Sequence, residues 1–100
     1  MAEAELVFET FKDRVGNVFT LDHESLPAVP LTLIEATAKP SHFVRPGMRL
    51  PFSLIFCDDG KQILPQSLYS LKNDELGTVT FFMVPVGRDA RGVHYQALFN

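Results

Sequence analysis

The chain has 100 residues, 46% of them hydrophobic, with nine Phe, a single Cys and a net charge of −3. That is one domain, 1–100, with material for one modest core and no need of metal or disulfide staples. The charge excludes an electrostatic footprint for nucleic acid, a lone cysteine excludes an internal disulfide, and no apolar run approaches the roughly 20 residues of a membrane span.

The N-terminus, MAEAELVFETF, carries glutamates where a secretory signal needs a basic and then an apolar region. A cytoplasmic protein is the expectation, and export within a leaderless assembly is compatible with it. Phe8, Phe11 and Val15 stand at i, i+3 and i+7, one face of a helix that Gly16 would stop. A helix of about ten residues does not stand alone, so it should dock on a sheet and close one end. The alternative is that ELVFETF is itself a strand.

The rest reads as strands. NVFTLD (17–22) is short. VPLTLIEATA (29–38) sets Leu31 and Leu33 against Thr32 and Ile34. LPFSLIFC (50–57) puts Phe52, Leu54 and Phe56 on one face. SLYSL (67–71) sets Leu68 and Ser70 opposite Tyr69 and Leu71. GTVTFFMVPVG (77–87) is the most apolar. VHYQALF (93–99) groups Val93, Tyr95, Ala97 and Phe99, which makes Tyr95 and Phe99 core anchors. Pro40, Pro46–Gly47, Asp59–Gly60, Asn73–Asp74 and 89–92 supply turn chemistry between them. The fold class is therefore all-β: a sandwich or partly open barrel of about six antiparallel strands with a short N-terminal helix. The longest connection, 39–49, with two prolines and three basic residues, is a candidate functional loop or a plain crossover.

Few residues invite chemistry. Cys57 is followed by Asp58 and Asp59, which raise a thiol pKa where a nucleophile needs it lowered. It lies on the face opposite Phe52, Leu54 and Phe56, so a strand end and turn explain it. His23, His42 and His94 have no metal-ligand spacing, and no metal or other cofactor is expected. Glu24, Glu35, Asp58, Asp59, Asp74 and Glu75 are expected in turns or on solvent faces. The glycines of VGRDARG fit a hairpin rather than a phosphate cradle.

The strand 78–86 is apolar on both parities: Phe81 and Met83 on one side, Phe82, Val84 and Val86 on the other. Half-buried antiparallel strands usually alternate, so the second face should be covered by the N-terminal helix or by another protein. Pro85 cannot donate to a ladder and predicts an edge or a bulge; an edge would let a partner add a strand. Phe82, Val84 and Val86, with Arg88 and Arg91 for an acidic partner, are the candidate partner-binding residues.

The pattern PFSL-x-F (51–56), LPQ-x-x-Y-x-L (64–71), LG…F-x-VPVG (76–87) and C-terminal YQA-x-FN (95–100), with Phe11, Val15, Gly16, Phe19 and Leu21 before it, resembles a small bacterial family of unknown function. Its members are associated with genes for phage-tail-collar-like fibre proteins. The resemblance covers most of the chain except 39–49 and brings no catalytic residue. It implies a structural or assembly role, with a tail-like or surface-fibre system as one setting. The expected function is a non-catalytic interaction module that binds a protein partner or itself. A small-ligand-binding β-barrel is the alternative, and an enzyme built on Cys57 or a histidine comes third.

Overall fold

Residues 7–23, 26–38, 51–58 and 63–99 are described by the structure, a computed structural model. The elements are α1 (Phe8–Lys12), β1 (Val18–His23), β2 (Leu26–Ala38), β3 (Phe52–Cys57), β4 (Ser67–Asn73), β5 (Gly77–Asp89) and β6 (Gly92–Phe99). Every pairing is antiparallel. The sheet closes in the order β1-β2-β3-β6-β5-β4, with β4 returning to β1 through Thr20↔Lys72 and Leu21↔Leu71. Of the two architectures the sequence allowed, the barrel is the one formed, and it is closed rather than partly open.

Period-2 alternation fills the interior. Phe52, Leu54 and Phe56 on β3 are fully buried, as are Leu31 and Leu33 on β2. Val93, Tyr95, Ala97 and Phe99 on β6 join them in one core. The six strands leave room only for side chains at this bore, and aromatic rings occupy much of it. Phe52 and Phe99 stack at 4.4 Å, and Phe56 and Phe81 at 5.4 Å.

The helix plugs one end of the barrel, but it is shorter than its periodicity predicts. It has five residues, and Phe11 reaches in among the rings of Phe19, Phe52 and Phe99 at 5.9–6.2 Å. Val7 offers no polar cap; its amide meets the Thr10 hydroxyl at 3.4 Å instead. The turn after Lys12 carries Val15 out to 49% exposure, so Val15 does not share the buried face of Phe8 and Phe11. Gly16 does not stop the helix, which ends at Lys12 with Asp13 as its cap; it closes the turn that follows. Its φ of +99° suits glycine, and its amide donates to the Leu33 carbonyl at 2.7 Å, starting the β1–β2 pairing.

Two irregularities matter for the surface. β2 shifts register between Leu33 and Glu35, and β5 between Pro85 and Gly87. The second is the bulge that Pro85 demands, since it has no N–H to give. The sheet closes overall, while β5 is laddered to one neighbour at a time. From Gly77 to Met83 β5 is laddered to β4, and from Val84 to Asp89 to β6. Around Pro85 the ladder therefore runs along β6 alone. The loop 39–49, His42, Glu24 and Asp59–Gly60 lie outside the described residues.

Candidate functional site

On β5 the two parities have different fates. Val79, Phe81 and Met83 are buried; Phe82 is 49% exposed. Phe82 is paired directly with Leu68 on β4, itself 64% exposed. On the other side, β6 pairs Val84↔Gln96. Leu98 on β6, 53% exposed, lies two residues beyond that last pair and is paired with Ser53 on β3. Inside the barrel the Phe81 and Phe99 rings meet at 5.7 Å. Leu68 and Phe82 thus form an exposed apolar pair across β4 and β5, with Leu98 exposed on the next strand in the order, β6. Neither Leu68 nor Leu98 was singled out by the sequence. The signal was there in their solvent-side parity, but only the strand order β6-β5-β4 places them on the strands that flank Phe82.

The structure separates the five residues proposed for partner binding. Phe82 and Val84 share the outer face, with Val84 half-buried. The bulge takes Val86, 51% exposed, out of their alternation. Arg88 is paired with the inward residue Val93 at the rim, so it does not stand on the outer face. Arg91 lies in the β5–β6 turn, held by Asp89. The N-terminal helix does not cover the outer face of β5; its rings pack inside the barrel against Phe19, Phe52 and Phe99.

A second feature lies under that turn. Two adjoining depressions, about 410 and 370 Å³, share Ile34 and Arg91. Cys57 and Asp58 line the first; Glu35, Ile55, Val86 and His94 line the second. Asp89 shapes the roof. Its carboxylate accepts the Arg91 amide at 2.8 Å and the Arg91 guanidinium at 3.1 and 3.3 Å. These donors hold its pKa below the ordinary 3.8, at about 2, the Arg91 amide contributing most. His94 Nε2 approaches the same carboxylate at 3.1 Å, but off the line of a hydrogen bond.

Cys57 and His94 are direct cross-strand partners on this wall, a pairing the sequence did not reveal. The thiol is aimed elsewhere: Sγ donates to the Asp58 carbonyl at 3.5 Å. Burial, then the charge of Asp89, push the thiol pKa up. Among the described residues no cluster of three or more His, Cys, Asp or Glu could hold a metal ion.

Asp58 corrects an expectation. It is 5% exposed rather than solvated. Its amide donates to the Val93 carbonyl at 3.1 Å, and its carboxylate accepts the Tyr95 hydroxyl at 3.4 Å. The same hydroxyl accepts the Leu64 amide at 2.9 Å. Tyr95 therefore ties both ends of the 58–64 connection to the core, a structural use of its polar tip.

The fold and its outer wall define a closed, six-stranded antiparallel barrel with an exposed apolar pair. The chain belongs to the family described as domain of unknown function DUF6916, whose model matches residues 6–99. None of the curated proteins and none of the solved structures matches it. No helix among the described residues is long and apolar enough to cross a membrane.

Proposed function

We propose that this domain is a non-catalytic interaction module whose contact surface is the outer wall of β4, β5 and β6. The observation that carries this reading is the paired Leu68 and Phe82, with Leu98 on the adjoining strand, each about half exposed or more while the inward residues beside them are buried. A fold gains nothing from apolar side chains held in water, and a contiguous exposed patch of them marks a contact surface. A partner would cover it rather than extend the sheet.

The ligand-binding alternative has less support: the bore is filled by Phe52, Phe56, Phe81 and Phe99, and the depressions under Arg91 are open. The enzyme reading lacks an activated nucleophile, since the Cys57 thiol is raised and turned to a carbonyl. A role in a tail-like or surface-fibre assembly rests on the family resemblance of the sequence and is one setting for such a module.

The test is recovery of bound protein by a tagged copy from an extract of the native host, beside the Phe82→Asp variant. The wild type is expected to retain a discrete partner, or further copies of itself, that the folded variant loses. Equal recovery by both contradicts the assignment of this wall.

A further inference from the structure

The depression that holds Glu35 and His94 is built by two irregularities of the backbone. β2 shifts register between Leu33 and Glu35, which leaves Ile34 without a partner on β3. β5 shifts between Pro85 and Gly87, which leaves Val86 without one on β6. In a regular strand Ile34 and Glu35 would point to opposite faces; here both line the same depression, with Ile55 and Val86 completing its apolar part. Pro85 accounts for the shift in β5. No proline or glycine stands at the shift in β2, and bulges that re-aim side chains gather beside functional sites.

Opposite charges flank this apolar floor, and each has bonding capacity unused. Arg91 gives Nε–H and one Nη2 hydrogen to Asp89, which occupies the side-on edge of its guanidinium. The end-on edge, Nη1 with the other Nη2 hydrogen, makes no hydrogen bond among the described residues. Asp89 thus sets the plane of the fork, and the open edge matches a carboxylate with two parallel bonds. The Glu35 carboxylate is exposed and has no ion pair or hydrogen bond among the described residues. His94 forms part of the wall, with Nε2 turned to Asp89.

These groups choose the charge of a ligand. An anion would meet Glu35 and Asp89 as well as Arg91, and a cation would meet Arg91. A molecule carrying both signs satisfies Glu35 and Arg91 together. A volume of about 370 Å³ takes one small molecule. We propose that this depression binds a free α-amino acid with an apolar side chain: its carboxylate on the end-on edge of Arg91, its ammonium on Glu35, and its side chain against Ile34, Ile55 and Val86. The site lies apart from the contact wall of β4–β6 and does not depend on it. Because the depression is open, binding is weak and exchange fast.

NMR titration of the intact, isotope-labelled chain with L-leucine tests this. Three analogues each lack one feature: isocaproate the ammonium, isoamylamine the carboxylate, and glycine the side chain. Leucine is expected to move the amide signals of Ile34, Glu35, Ile55, Arg91 and His94 along a saturating curve, and each analogue is expected to bind more weakly. Glu35→Gln and Arg91→Gln, both at exposed positions, should each weaken leucine about two- to fivefold, the worth of an exposed ion pair. Glu35→Gln should also remove the preference for leucine over isocaproate. The amide spectrum of each free variant reports its fold. Leucine that moves none of these signals, or binds no better than isocaproate and isoamylamine, overturns the proposal. So does wild-type affinity for leucine in both folded variants.

Discussion

The two faces of β5 carry nearly the same residues to opposite ends. Phe81 and Phe82 are consecutive, and one is 5% exposed while the other is 49% exposed. Phe81 meets Phe56 and Phe99 inside the barrel; Phe82 meets Leu68 and solvent. The inner phenylalanine is explained by the fold, and the outer one is not. What the fold does not need is the best evidence for what the surface does.

The sharpest way to break this contrast is to truncate each ring in turn. Phe81→Ala should cost about 3–5 kcal/mol, as large-to-small changes in a closed core do. Phe82→Ala should cost less than about 1 kcal/mol. Urea unfolding of the two variants checks the difference, and similar losses at both would show that the outer wall is part of the folded core.

Tyr95→Phe comes next. It keeps the ring in the core and removes only the hydroxyl, leaving the Leu64 amide without that acceptor. The expected loss is about 1–3 kcal/mol, read as a lower unfolding midpoint. No change would mean that water replaces the hydroxyl at no cost.

Much of the inner face was legible from the sequence. Phe52, Leu54 and Phe56, and the run from Val93 to Phe99, follow from strand parity alone, because a period of two survives whatever the neighbours are. Pro85 foretold its bulge for the same local reason, a missing N–H. The outer wall was less legible. Phe82 stands out as an aromatic on the wrong parity, but Leu68 and Leu98 join it only through the strand order. The burial of Asp58 depends on Tyr95, 37 residues away, and the Cys57–His94 pairing on the register of β3 with β6. Val15 misled because a helical period was read beyond the point where the turn to Gly16 breaks it.

Smaller effects test the rest of the outer wall. Cys57 should alkylate slowly near neutral pH, its rate rising only above the ordinary thiol range, because burial favours the neutral form. Cys57→Ser should cost no more than about 1 kcal/mol. Fast alkylation at neutral pH would instead mark an activated thiol. Asp89 should titrate near 2, measured by carboxyl NMR shifts. Its folded pKa lies below its unfolded value, so the support it lends the hairpin is present above about 3.8 and is lost as pH falls through about 2. A midpoint at the ordinary value would mean that Arg91 does not hold it in solution.

The central claim is that the outer pair, Leu68 and Phe82, serves association and not folding. Phe82→Asp tests both halves, with urea unfolding for stability and recovery of bound protein from host extract for association. The account predicts an unfolding midpoint close to that of the wild type together with loss of the partner that the wild type retains. Retained association in a folded variant, or a variant that loses association only because it unfolds, would contradict it.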